Sequence, residues 1–307
     1  MKIYLNSAKE NWVVDRFIRE WNEYNNFSKK SFLFNSQIVW IIAPWTWEKI
    51  SKRFLNNKKV VCTIHHIDED KFNKKELANF LYRDSYVDQY HVISKKTQEQ
   101  VRKLTTKPIT VIPFWLNKKI WFEIEDKDLI KKEYGISNDE FLVGSFQRDT
   151  EGYDLTSPKL SKGPDQFFEI VKYLNSQNEN LKVILSGKRR NYLINKLKKE
   201  GIKFDYFEMV SFEELNKLYN ILNLYIVASR YEGGPQSIPE CALLGVPIIS
   251  TDVGIASEIL DSNAIFNMST YSTATPNSKA AYNNVQKLIT PTGFERFNKM
   301  FHDLNEI

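Results

Sequence analysis

A chain of 307 residues that is 42% hydrophobic, 14% aromatic and 26% charged can bury substantial cores, which excludes disorder over most of its length and favours two domains over one. The formal net charge is +5, and many lysines come as scattered doublets (Lys29-Lys30, Lys58-Lys59, Lys74-Lys75, Lys118-Lys119, Lys131-Lys132, Lys198-Lys199), the pattern of solvated faces. That charge is compatible with peripheral contact with anionic lipid, and without a recognition motif it argues against a nucleic-acid partner.

In chain order, residues 2–5 read as a strand, and Trp12, Phe17, Ile18 and Trp21 then recur at helical spacing. Residues 38–42 form a buried-strand pattern that ends at Pro44 and the aromatic loop Trp45-Thr46-Trp47. Strands are predicted at 60–64, 89–93 and 109–112, with Ser94 as the N-cap of a helix reaching about Leu104. A charge-rich stretch between Asn117 and Asp139 is the expected domain boundary. A strand follows at 141–146, then a long polar loop at 149–161 with Gly152 and Pro158. Phe167, Ile170, Val171 and Leu174 make a helical stripe, and Leu215, Leu218, Tyr219 and Leu222 another. Strands are predicted at 183–185, 204–207, 224–228 and 246–249. From Pro291 onward Phe294, Phe297, Phe301 and Leu304 fall on one side of a helix. Strands alternating with helices predict βαβ units and mainly parallel sheets, an α/β chain. Cys62 and Cys241 form no CxxC and read as buried thiols in a reducing compartment. The sequence shows neither a signal-peptide core nor an apolar run near the roughly 20 residues of a transmembrane helix, so the expected location is cytoplasmic.

The segment 230–245 carries the chemistry. A buried strand ends at Ser229, Gly233-Gly234 follow, and a helix is predicted from about Ser237 or Ile238, with Pro239 in its first turn. The glycines let a ligand approach the backbone, and N–H groups at a helix start suit a diphosphate. Glu232 and Glu240 bracket this site. A carboxylate offers two acceptor oxygens to a diol, so Glu240 suits a ribose and Glu232 a sugar. A helix-dipole partner at Glu240 and a solvated Glu232 is the alternative reading.

Glu232 and Glu240 have E-x7-E spacing, and the run Glu-Gly-Gly-Pro-Gln-Ser-Ile-Pro-Glu-Cys-Ala-Leu-Leu-Gly-Val-Pro-Ile-Ile-Ser-Thr-Asp-Val-Gly resembles the donor-site signature of retaining family-four glycosyltransferases (glycosyl transferases group 1). The resemblance is strong over about 141–260 and weak in the N-terminal half. It implies the GT-B architecture: two Rossmann-like domains whose parallel sheets face each other across a cleft that closes by hinge motion. An acceptor-side domain is expected at 1–120, with 291–307 packing back on it, and a donor domain at 121–290. It also implies transfer of a sugar from a nucleotide-diphosphate sugar to a hydroxyl of a glycan, a lipid-linked or a small-molecule acceptor, with retention and with no metal or other cofactor.

Residue by residue, the resemblance implies a catalytic set of Glu232, Lys162, Arg148 and His65, the two cations neutralising the diphosphate and His66 second to His65. The chain departs from the family pattern here, because Gly144-Ser145-Phe146-Gln147-Arg148 and an enlarged loop precede Lys162. Donor binding is implied for Glu240, Gly233, Gly234, Pro235, Gln236, Ser237, Val210 and Gly144. The segment at Val210 that resembles a base-contacting loop is equally a Ser211 N-cap with Glu214 as its capping-box partner. Lys188-Arg189-Arg190 reads as a phosphate aid or a solvated helix start, and His91 as a core residue. Trp12, Asp15, Arg16, Trp45 and Trp47 read as acceptor-site lining or as packing. The short N-terminal half keeps open a non-catalytic nucleotide-sugar-binding or regulatory subunit, and a nucleotide-sugar epimerase is a third reading.

Overall fold

Aliphatic and β-branched runs buried on both faces set up two parallel sheets. In the computed structural model, which describes residues 1–10, 13–25 and 32–306, β1 (Ile3–Leu5) leads through α1 (Val13–Tyr24) to β2 (Ile38–Ile41). A 3-10 segment (Pro44–Lys49) and α2 (Lys52–Asn56) connect to β3 (Lys59–Ile64), followed by α3 (Lys74–Asp84), β4 (Gln89–Val92), α4 (Lys95–Arg102) and β5 (Ile109–Val111). Trp12 and the Lys29-Lys30 doublet lie outside the described residues. The sheet runs β1-β2-β3-β4-β5, with every pair parallel. Alternate residues of β2 serve opposite faces: Ile38 and Trp40 join one core, Val39 and Ile41 the other. Ser94 caps α4, accepting the Thr97 N–H at 3.2 Å.

The second sheet contains β6 (Phe141–Ser145), which follows α5 (Lys127–Glu133). A short antiparallel hairpin, β7 (Thr150–Glu151) and β8 (Ser157–Pro158), stands where the sequence predicts a loop. Then come α6 (Pro164–Gln177), β9 (Leu181–Ser186), α7 (Asn191–Glu200), β10 (Lys203–Phe207), α8 (Phe212–Asn220) and β11 (Leu224–Val227). α9 (Ser237–Leu243), β12 (Ile248–Thr251), α10 (Ala256–Ile259), β13 (Ile265–Phe266) and α11 (Ser278–Val285) complete the unit. Its strand order is β10-β9-β6-β11-β12-β13, all parallel. The chain therefore grows outward from β6 in one direction, crosses back to β11, and continues in the other. This is the doubly wound dinucleotide-binding topology, with its switch point between β6 and β11.

The chain divides into two compact units, Met1–Trp115 with Leu288–Ile307, and Leu116–Lys287. The last helix, α12 (Glu295–Glu306), belongs to the first unit. Its stripe, Phe297, Met300, Phe301 and Leu304, with Phe294 just before it, is buried against Trp21, Trp40 and Trp115. Ring centroids lie 4.5 Å apart for Trp115–Phe294 and 5.6 Å apart for Trp21–Phe301.

Polar groups inside the first unit are paired in series. Trp40 Nε1–H donates to Thr63 Oγ1 at 2.8 Å, and Thr63 Oγ1 lies 2.9 Å from His91 Nδ1. His91 Nε2 lies 2.7 Å from the Ile112 carbonyl, which only accepts, so Nε2 carries the proton and Nδ1 accepts from Thr63. Burial pushes the His91 pKa down to about 3. Cys62 and Cys241 are buried free thiols. Among the described residues no helix is long and apolar enough to cross a membrane.

Candidate functional site

At the switch point the carboxyl ends of β6 and β11 lie side by side, with Val143 opposite Leu224 and Gly144 opposite Tyr225. Open α/β sheets bind ligands outside such strand ends. The chain leaving β6 carries Gln147 and Arg148, and the chain leaving β11 carries Ser229, Arg230 and Glu232. The two are stitched together. Phe146 N–H donates to Tyr225 Oη at 2.9 Å, and Gln147 Nε2 donates to the Lys162 carbonyl at 2.9 Å. Gln166 Nε2 donates to the Ala228 carbonyl at 2.6 Å. The N–H groups of Arg230 and Tyr231 both donate to the Ser161 carbonyl, at 2.9 and 3.1 Å. The Arg230 guanidinium grips Asp165 with both of its ends, at 2.8 and 2.6 Å.

Two glycines let the backbones meet. Gly163 has φ +60°, and a Cβ there would collide with the Ala228 carbonyl. Gly254 has φ +49°, and a Cβ there would collide with the carbonyls of Glu232 and Gly233. Held this way, Lys162 Nζ forms an ion pair with Glu232 Oε1, the side chains being 18% and 13% exposed. Arg148 points its Nε–H at the Thr150 carbonyl, 2.9 Å away. Desolvation, then the neighbouring Arg189, lowers the Arg148 pKa.

Glu240 is 4% exposed on α9 and accepts a hydrogen bond from Tyr219 Oη at 3.2 Å. Burial, with Tyr225 and Glu240 nearby, raises the Tyr219 hydroxyl well above its usual range, so it remains a donor. Burial raises the Tyr225 hydroxyl above its usual range, and Ser237 nearby works against that. Pro235 lies in the turn before α9, where its carbonyl accepts from the Ile238 N–H at 3.0 Å. Gln236, next along, donates from Nε2 to the Gly234 carbonyl at 3.4 Å, and its Oε1 is buried with no hydrogen-bond partner among the described residues. α9 itself has only seven residues. Its first N–H groups and the nearby cations Lys162 and Arg148 both supply positive potential to this end of the sheet. Among the described residues no three His, Cys, Asp or Glu side chains cluster to hold a metal ion.

The remaining expected residues are spread more widely. Gly144 lies inside β6, where Leu222 and Tyr225 fill the space a Cβ would need, so packing accounts for the glycine. Val210 is half-buried just before α8, whose start is a complete Ser211–Glu214 capping box. Arg190 is neither exposed nor on the site's surface. It is 0% exposed, paired to Asp149 at 2.6 Å, and bonded to the carbonyls of Ser145 and Ser186. Arg16 and Trp47 are buried in the first unit, whereas Trp45 is 53% exposed.

His65, in the first unit, places Nε2 2.8 Å from the Ile42 carbonyl and packs its ring against Phe114 and Trp45. Desolvation pushes its pKa down to about 4 against the opposing pull of the Ile42 bond. The ring is neutral at pH 7 with its proton on Nε2, and Nδ1 is an acceptor. Sequence reasoning overlooked Gln147, Lys159, Asp165, Gln166 and Tyr219, because each owes its place to a partner far away in sequence.

The family described as glycosyl transferases group 1 matches residues 156–300 of the chain. The O-antigen chain mannosyltransferase RfbU of Salmonella typhimurium is 23% identical over 303 residues, spanning 90% of this chain and 78% of that protein. Among solved structures, Anabaena Alr3699/HepE in complex with UDP-glucose superposes with a TM-score of 0.74 at 13% identity, over 98% of this chain and 99% of that one. Sucrose-phosphate synthase from Thermosynechococcus elongatus superposes at 0.65 and 16% identity, covering 95% and 77%. The architecture is the GT-B fold, with two Rossmann-like units.

Proposed function

We propose, from the premise that residues 156–300 carry a group 1 glycosyltransferase domain, that the chain moves a sugar from a nucleotide-diphosphate sugar to an acceptor hydroxyl with retention at the anomeric carbon. The observation that carries this reading is the Lys162–Glu232 ion pair at the carboxyl ends of β6 and β11. Lys162 and Arg148 take the diphosphate oxygens, assisted by N–H groups of Gly233, Gly234 and Ser237. Glu240 accepts from the ribose hydroxyls, and Glu232 from hydroxyls of the sugar. Pro235 and Gln236 shape the loop around the donor, and Val210 lies beside the base.

In the transfer, the bond between the anomeric carbon and the diphosphate oxygen breaks, and the acceptor oxygen bonds to that carbon on the same face. The acceptor proton passes to a phosphate oxygen of the departing nucleoside diphosphate. The leaving group gains negative charge as the bond breaks, so fixed cations stabilise the transition state more than the ground state. His65 accepts a hydrogen bond from a substrate hydroxyl through Nδ1. The reaction uses no metal, and activity is expected to survive EDTA. The acceptor is a glycan or its lipid-linked form, reached from the cytoplasm with peripheral membrane contact. The O-antigen chain named for the Salmonella relative supports the glycan, and the UDP-glucose complex of HepE supports the nucleotide-sugar donor.

Thermal-shift titration with UDP-, GDP- and ADP-sugars identifies the donor, since a ligand of the native state raises apparent stability. Glu240→Ala is expected to remain folded and to lose donor binding and turnover. Full activity in that variant overturns the assignment.

A further inference from the structure

We propose that Lys159 is a third cation for the donor diphosphate, delivered to the site by the β7–β8 hairpin; the proposal rests on the donor-site reading above. The hairpin is anchored firmly at its base. Asp149 is ion-paired with the buried Arg190, and the Asp149 and Thr150 N–H groups donate to the Arg189 carbonyl at 3.3 and 3.0 Å. Thr150 Oγ1 donates to Asp149 Oδ1 at 2.6 Å and accepts the Tyr192 N–H at 2.9 Å. Its tip is organised too, because the Asp154 carboxylate accepts from the N–H and hydroxyl groups of both Thr156 and Ser157, at 2.8–3.3 Å.

The ladder pairs Thr150 with Pro158 and extends one step further, where the Lys159 N–H donates to the Asp149 carbonyl at 2.8 Å. The Lys159 carbonyl in turn accepts the Lys162 N–H at 2.8 Å. Lys159 is thus fixed between the anchored strand and the turn that carries Lys162. Its ammonium is half-buried and makes no hydrogen bond or ion pair among the described residues. Desolvation lowers its pKa, and Lys162 and Arg148 lower it further, while Glu232 and Glu151 work the other way. Three cations and two carboxylates therefore interact at one place, and one carboxylate, Glu232, is already engaged with Lys162. Like charges held together against desolvation are stabilised by an anion that bridges them, and a diphosphate offers oxygens to all three.

The test is calorimetric titration of the full chain with UDP, GDP and ADP and with the matching free nucleosides, in the wild type, Lys159→Ala and Lys159→Arg. For the diphosphate that binds the wild type best, Lys159→Ala is expected to weaken binding roughly tenfold, the worth of one charge-assisted hydrogen bond. Lys159→Arg is expected to restore it to within about threefold, and nucleoside binding is expected to stay unchanged. If Lys159→Ala proves unstable, Lys159→Gln is read in the same way. Undiminished diphosphate binding in the alanine variant overturns the role of Lys159 and leaves the donor site standing. A wild type that binds none of the three diphosphates overturns both.

Discussion

Gly163 and Gly201 share a left-handed backbone, with φ +60° and +69°, yet only Gly163 abuts a carbonyl distant in sequence, that of Ala228 just past β11; Gly201 has nothing within 4 Å of its missing Cβ. Gly201→Ala should therefore cost only about 1 kcal/mol of backbone strain. Gly163→Ala should cost distinctly more and should also weaken donor binding, because the turn that carries Lys162 has to shift. Calorimetric scans of the two variants check this, and equal losses would refute the close-approach argument. The two arginines beside the site differ in the same instructive way. Arg230 and Asp165 are 33% and 35% exposed, whereas Arg190 and Asp149 are buried. Removing Arg190 strands a buried carboxylate, so Arg190→Ala should lose about 3–5 kcal/mol, and Arg230→Ala about 1 kcal/mol or less. Urea unfolding of both variants measures the gap.

At the scale of elements, capping explains where helices begin, and α4 offers a clean case. Ser94 is fully buried, and its hydroxyl is the acceptor for the Thr97 N–H. Ser94→Ala is expected to cost about 1 kcal/mol, read from the unfolding midpoint by tryptophan fluorescence. No change in midpoint would show that the cap is redundant. The β7–β8 hairpin shows the limit of local patterns. Its strands are two residues each, too short to leave a periodic signal, and they hold together through Asp149, Thr150 and their partners on α7 and the residues just before it.

Across the first unit, buried His91 and half-buried His65 set a response to acid. His65 and His91 titrate near 6.5 when unfolded, but only at about 4 and 3 in the folded chain. Below pH 6.5 the unfolded state takes up protons that the folded state refuses. Stability is thus greatest above that pH and falls as pH drops toward 4, by up to about 1.4 kcal/mol per pH unit for each histidine. Denaturant unfolding between pH 7 and pH 4.5 should show this slope, and His91→Gln should flatten it. An unchanged slope in the variant would mean that His91 does not carry its share.

Much of this was written in the sequence. The strands at 38–42 and 60–64, the Ser94 and Ser211 caps, the buried His91 and the thiols at 62 and 241 all follow from local periodicity and side-chain chemistry. The α/β class followed from alternation, and the glycine-glutamate segment was conspicuous because its unusual residues are adjacent. Only the tertiary structure decided that Lys162 meets Glu232, that Gly163 touches Ala228, that Arg190 is buried on Asp149, and that Lys159 joins the cations. Those contacts join segments separated by roughly ten to seventy residues. The Lys162–Glu232 and Gly163–Ala228 contacts exist because strand order reverses at the switch point, which lays β6 beside β11, and Arg190 reaches Asp149 because β9 lies beside β6. Periodicity records which face of an element is apolar, but not which elements become neighbours.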